Sequence, residues 1–254
     1  MNQNIEKHYS YSLILATYKE KENLEILLPR LLSFFKKRKM PFEIIIVDDN
    51  SRDGTSELVK QLNSQTKKIR LIERTDEKEL STAVIRGMRE AKYLHTIRMD
   101  ADLSHTVEDL ATLVDRYERQ KAPSVIVGSR FLQKSIYIGK PWLNQLSSMV
   151  GRTFTKLVFQ MPVIDSSNNF RIIPKKIWND IESSLNSRGN VMFVEEVLQM
   201  AKNGVQFIEM PITYKERRLG KSKLQVLQET VKFMKAIPHL FVHKQHAYVT
   251  SKSQ

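Results

Sequence analysis

The chain of 254 residues contains no cysteine. Disulfide scaffolds, thiolate metal sites and cysteine nucleophiles are therefore excluded. No stretch approaches the roughly 18 unbroken apolar residues that a spanning helix needs. Met1 to Tyr11 is polar and lacks the order of a secretory signal, so a cytoplasmic location is expected. Internal repeats, low-complexity tracts and a long linker are missing as well. What is there, 41% hydrophobic and 27% charged residues, has the composition of a folded domain with a sizeable core.

Acidic charge is scarce in one half only. Residues 1–129 carry 22 Lys+Arg against 20 Asp+Glu, whereas residues 130–254 carry 19 against 8. The net charge of +13 therefore lies mostly in the second half. Such a surface meets an anion (a phosphorylated substrate, a membrane surface, a nucleic acid) or is simply solvated. Nucleic-acid binding has charge alone behind it, with no recognition helix or aromatic platform, and is not expected.

Short apolar runs alternate with helical patterns through the first half. Strands are expected at Tyr11–Ala16, Phe42–Val47, Ile69–Ile72, Tyr93–Met99 and Ser124–Val127. Helices are expected at Asn23–Lys37, Thr55–Leu62, Thr82–Ala91 and Val107–Gln120. This rhythm gives βαβ units and a mostly parallel sheet. The second half is less regular. It offers helices at Trp142–Phe159, Phe193–Lys202 and Leu224–Leu240, and strands at Asn169–Ile173 and Val205–Ile212. Asn203-Gly204 reads as a helix C-cap. One domain over 10–241 is expected, with short tails at 1–9 and 242–254.

Ligands of open parallel sheets bind outside the carboxyl ends of the strands. There the chain places Ala16-Thr17-Tyr18-Lys19-Glu20, Asp48-Asp49-Asn50-Ser51 and Asp100-Ala101-Asp102. Clustered carboxylates repel unless a cation or donor-rich ligand sits between them. Asp100 and Asp102, two residues apart after an apolar strand, suit one hard cation such as Mg²⁺ or Mn²⁺. A local turn and the N-cap of the helix at Val107 would use the same residues. Asp48-Asp49 is more than a cap needs, so a carboxylate bonding a base or ribose is credible. Glu20 has a competing role beside the dipole of the next helix.

Five segments occur in order: Thr17-Tyr18-x-Glu20; Val47-Asp48-Asp49-Asn50-Ser51-x-Asp53-Gly54-Thr55; Met99-Asp100-Ala101-Asp102-Leu103-Ser104-His105; Gly128-Ser129-Arg130-Phe131; and Pro211-Ile212 followed by Arg217-x-x-Gly220-x-Ser222-Lys223-Leu224. Together they resemble the family-2 glycosyltransferases, and within these the dolichyl/polyprenyl-phosphate mannose synthase group. The resemblance implies a GT-A fold, an αβα three-layer nucleotide-sugar transferase. It implies that residues 10–129 bind nucleotide sugar and 130–241 form the acceptor and closing half. Ala16, Thr17, Tyr18, Glu20, Asp48 and Asp49 would hold the nucleotide. Asp100, Ala101 and Asp102 would hold the sugar diphosphate and a Mg²⁺ or Mn²⁺ ion, with Ser104 near the metal. Glu196 would stand near the sugar or metal, Arg130 would face the acceptor phosphate, and Arg217, Ser222 and Lys223 would close over the diphosphate.

The implied reaction is an inverting transfer of a hexose from GDP-mannose or UDP-glucose to a polyprenyl or dolichyl phosphate. A lipid phosphate is largely ionised at pH 7 and needs positioning, not a strong base. His105 is therefore read as a supporting residue at the helix start. The alternatives are a saccharide or other hydroxyl acceptor and a non-catalytic nucleotide-binding relative. The chain departs from the family pattern at Lys19, at Lys78–Ala83 in place of a Gly-rich turn, at Asn144-Gln145 in place of a basic pair, and at Asn168-Asn169. At the last, asparagine tolerates left-handed backbone, so the fold is expected to survive there with a changed pocket shape. The amphipathic stretch Leu224–Phe241 either lies on an anionic membrane or a small membrane subunit, or packs on the protein's own core.

Overall fold

Strands covered on both faces read as continuous apolar runs. The computed structural model describes residues 9–138, 155–215, 233–238 and 240–241. In it β1 (Tyr11–Thr17), β2 (Phe42–Asp48), β3 (Ile69–Glu73), β4 (His95–Arg98) and β5 (Ser124–Ser129) alternate with α1 (Lys21–Lys37), α2 (Thr55–Thr66), α3 (Leu80–Glu90) and α4 (Val107–Glu118). Every element expected in the first half is present, its ends shifted by a few residues.

The two-residue alternation of a strand sorts its side chains into two cores. Tyr11, Leu13 and Leu15 of β1 join Leu24, Leu27 and Leu31 of α1 and Leu110 and Leu113 of α4. Ile14 joins Val84 and Met88 of α3 on the other face. There, too, lie Trp178 of α5 (Lys175–Ile181) and Val197 of α6 (Asn190–Lys202). The result is three layers, helix on sheet on helix. At Gly87 a Cβ would collide with the side chain of Ile14. Glycine there lets α3 sit directly on β1.

The second half completes the same sheet. The strand order is β3-β2-β1-β4-β7-β5-β8, with β7 (Arg171–Pro174) and β8 (Gln206–Pro211) added. β7 runs antiparallel to β4 and β5, and the other pairs are parallel. A two-stranded parallel ribbon, β6 (Ile136–Ile138) with β9 (Thr213–Lys215), lies apart from it. The single strand expected at Val205–Ile212 thus ends at Pro211 and gives way to β9. The ribbon and α5 are not expected from sequence. α6 closes at Asn203, with Gly204 at φ +71, as the Asn-Gly signal implies.

Most of the expected helices Trp142–Phe159 and Leu224–Leu240 lie outside the described residues. The described parts, 155–159, 233–238 and 240–241, are helical. Leu240 is buried and Ile237 packs with it on the second core, whereas Met234 is exposed. At least part of this stripe therefore serves the protein's own interior. Among the described residues no helix is long and apolar enough to cross a membrane. Tyr9, expected in a tail, packs on Tyr11, His95 and Tyr117.

Candidate active site

β1 lies between β2 and β4, so the chain reverses its winding direction at the carboxyl end of β1. That is where open α/β sheets form a ligand crevice. The backbone is strained there. Lys19, Asn50, Arg52 and Leu103 all take positive φ, between 53° and 62°. Residues with side chains hold such conformations only where their surroundings enforce them.

Asp48 is fully buried at the end of β2. One carboxylate oxygen accepts from the hydroxyls of Thr17 (2.9 Å) and Ser51 (2.5 Å), and the other from the Ser51 amide (2.9 Å). Ser51 in turn accepts from the Lys19 amide. Asp48 thereby ties the end of β1 to the turn after β2. Asp49 binds the Arg74 guanidinium at 2.5–2.7 Å, and Arg74 also reaches the Thr82 hydroxyl and the Glu79 carbonyl. Burial raises the Asp49 pKa, opposed by Arg74. This arginine, not singled out in the sequence, anchors the loop leading into α3 through Glu79 and Thr82. Asp53 accepts from the amides of Thr55 and Lys21, joining the starts of α2 and α1. Ala16 is the next-to-last residue of β1. Tyr18 is exposed, with Lys19 and Lys78 over its ring. Glu20 precedes α1 and accepts from the Asn23 side chain.

The second aspartate pair is arranged differently. Asp100 is partly exposed and accepts from the Asn169 amide at 3.0 Å. Asp102 accepts from the Ser104 amide at 3.0 Å, an Asx turn. The N-cap of α4 is Thr106, not either aspartate. Neither Asn168 nor Asn169 takes a positive φ. Their side chains act instead: Asn168 donates to the Gly128 carbonyl and accepts from the Phe170 amide. The ring of His105 is buried against Phe170, and its Nδ1 accepts from the Asp100 amide. Burial lowers its pKa, opposed by Asp100 and Asp102. The ring thus packs beneath the aspartate loop and holds the Asp100 amide.

The donors suit a hard cation. Ser104 Oγ and Asn169 Oδ1 are buried near the two aspartates without a hydrogen-bond partner among the described residues. Two carboxylates with neutral oxygens nearby, completed by diphosphate oxygens, are the usual surroundings of Mg²⁺ or Mn²⁺. Among the described residues no group of three or more His, Cys, Asp or Glu could hold a metal unaided.

Arg130 forks onto Asp165, with Nε at 2.8 Å and Nη2 at 2.7 Å, and lies over the ring of Tyr214. Burial works against its charge, but Asp165 outweighs burial and raises its pKa. Glu196 is fully buried, its oxygens on the guanidinium groups of Arg98 and Arg171. Burial pulls the Arg171 pKa down to about 10 against the pull of Glu196. Arg98 and Arg171 were not singled out in the sequence. A signal existed, because arginines inside apolar runs of a sheet covered on both faces must find a buried carboxylate. Arg217, Ser222 and Lys223, and the departure at Asn144-Gln145, lie outside the described residues.

Known proteins share this architecture. The family described as glycosyl transferase family 2 matches residues 12–181. A dolichol-phosphate mannosyltransferase of Mycosarcoma maydis is 32% identical over 225 residues, 85% of this chain and 74% of the relative. A polyprenol monophosphomannose synthase of Mycolicibacterium smegmatis is 27% identical, covering 84% of this chain and 80% of its own. A dolichol-phosphate mannosyltransferase of Pyrococcus furiosus is 33% identical, and this chain spans 59% of its length. Among solved structures, mannosyl-3-phosphoglycerate synthase from Rubrobacter xylanophilus superposes with a TM-score of 0.72 at 10% identity, over 91% of this chain and 73% of that one. Glucosyl-3-phosphoglycerate synthase from Mycobacterium tuberculosis, solved with Mn²⁺ and uridine diphosphate, gives 0.66 at 12% identity, over 93% and 80%. At such identities these two structures speak for the fold, which is GT-A.

Proposed function

The chain belongs to glycosyl transferase family 2, and from that premise we propose that it moves mannose from GDP-mannose to a polyprenyl or dolichyl phosphate, with Mg²⁺ or Mn²⁺ bound. The observation that carries this reading is the partly exposed Asp100–Asp102 loop with unpartnered buried oxygens beside it. The names of the curated relatives support the mannosyl group and the lipid-phosphate acceptor.

In the proposed reaction a phosphate oxygen of the lipid attacks the anomeric carbon. A new C–O bond forms with inversion as the bond to the diphosphate breaks, and its electron pair leaves with the diphosphate. The cation supplies positive charge at that leaving group. Asp100, Asp102 and Ser104 would hold it. Ala16, Thr17, Tyr18 and Glu20 line the nucleotide end, shaped by Asp48 and Asp49. Arg130, its planar group fixed by Asp165, is assigned to the acceptor phosphate. Arg217, Ser222 and Lys223 are assigned to the diphosphate as a closing segment. The acceptor arrives ionised, so no residue is asked to remove a proton. The basic second half supports attachment to an anionic membrane surface or to a small membrane subunit.

The test is transfer of label from GDP-[¹⁴C]mannose to polyprenyl phosphate in the presence of Mn²⁺. Label extracted into organic solvent, and lost with EDTA, is the expected result. Transfer only from UDP-glucose, or only to water-soluble hydroxyl acceptors, would overturn the reading.

A further inference from the structure

Resting on the metal-dependent transfer proposed above, we infer that Glu196 is a positioning residue. Through Arg98 and Arg171 it sets the register of β4 against β7, and with it the contact of Asn169 with Asp100 on which cation affinity depends.

Arg98 and Arg171 are direct partners in the antiparallel β4–β7 pair. Both are fully buried, and two guanidinium groups side by side in a low-dielectric interior repel. Glu196 answers both from α6. It receives Arg98 Nη1 at 2.8 Å and Nη2 at 2.6 Å, a forked pair, and Arg171 Nη1 at 2.5 Å. The Trp178 and Phe193 rings pack against the Arg98 group, and the Phe193 ring against that of Arg171. Arg171 also donates to the carbonyls of Phe193 and Ser166. One carboxylate on a helix therefore staples two strands together.

The staple acts at a distance through the register. Continuing the pairing of Arg98 with Arg171 by two residues sets Asp100 opposite Asn169. These two do meet, at 3.0 Å. A slip of one residue would turn Asn169 to the other face of the sheet. The contact is directional. Asn169 gives its NH₂ to the carboxylate, because its oxygen there would face a negative charge. Its carbonyl oxygen is thereby turned away from Asp100, buried and without a hydrogen-bond partner among the described residues. The staple thus holds both a metal-binding carboxylate and a neutral oxygen beside it. Stability alone does not call for such a cluster, since well-packed apolar residues commonly replace buried ion triads without loss.

Three variants separate positioning from simple stability. In Glu196→Gln the dissociation constant for Mn²⁺, read by electron paramagnetic resonance in the presence of GDP, is expected to rise about tenfold or more, as for residues that orient metal ligands. The triple variant Arg98→Met, Glu196→Leu, Arg171→Met removes the charges and fills the space. It is expected to melt near the wild-type temperature and keep the loss of Mn²⁺ affinity. Asn169→Ala leaves the staple intact and is expected to reproduce that loss without a change in melting. The inference is overturned if the triple variant melts and binds Mn²⁺ like wild type. It is equally overturned if Asn169→Ala binds Mn²⁺ normally, or if Glu196→Gln binds it normally while losing turnover. Asn169→Ala decides even where neither staple variant folds. Asp102→Asn is the control: normal Mn²⁺ binding by that variant would mean that the metal reading itself has failed.

Discussion

Two pairs of acidic residues end neighbouring parts of one sheet, and they are used in opposite ways. Asp48 and Asp49 are buried and engaged by the chain itself: Thr17 and Ser51 hold the first, Arg74 the second. Asp100 accepts from Asn169 and Asp102 from the Ser104 amide, and both keep partial exposure. The same side chain at equivalent strand ends builds the crevice in one case and, in the function proposed, is left for a ligand in the other. What separates them is burial, not the residue type.

That contrast can be broken variant by variant. The largest effect is expected at Asp102→Asn. Removing one charge-stabilising group typically costs a hundred- to a thousandfold in turnover. Mannosyl transfer should fall by about that factor while the melting temperature stays near wild type; a melting temperature that falls with turnover would place Asp102 among the builders. Asp48→Ala should behave in the reverse manner. It strands two hydroxyls and a buried amide, and urea titration should show a loss of about 3 kcal/mol in folding stability. A fully stable variant with weakened nucleotide binding would move Asp48 to the ligand side.

A smaller, pH-dependent effect should sharpen the comparison at Arg74→Met. Asp49 already has a raised pKa through burial, with Arg74 opposing. Without Arg74 that pKa rises further. A carboxylate with a raised folded-state pKa adds stability below its unfolded value, here 3.8, and loses it as pH rises through the folded value. The variant should therefore be weaker than wild type by about 2 kcal/mol at pH 7 and by less near pH 4. An equal deficit at both values, measured by chemical denaturation, would show that the charge on Asp49 is not what Arg74 compensates.

Much of this arrangement was legible in the sequence because parallel strands announce themselves. Tyr11–Thr17 and Phe42–Asp48 are apolar on both faces and stop at polar residues. The aspartates that follow therefore fall on the ligand edge without any knowledge of tertiary structure. What escaped was everything decided by packing between distant segments. Arg74 and Asp49 are 25 residues apart, and Arg98 and Glu196 are 98 apart. β6 and β9 are three residues each, too short for a period to show. The roles of Asn168 and Asn169 were equally out of reach, because their side-chain amides find partners 40 and 69 residues away in the chain.

The place of β7 in the sheet has a consequence for the order in which the protein can be made. β5 pairs with β7 and β8 alone, and the outer edge of β4 is covered by β7. The Thr96 hydroxyl finds its acceptor, the Ile173 carbonyl, 77 residues further along the chain. As the chain leaves the ribosome, the first half is thus complete in composition before it is complete in structure. Its β4 edge stays open and β5 has nowhere to dock until the segment Arg171–Pro174 emerges. An open edge of this kind recruits other strands. A fragment cut after residue 129 would keep that edge permanently, so the first half of this chain is not a separable piece of protein.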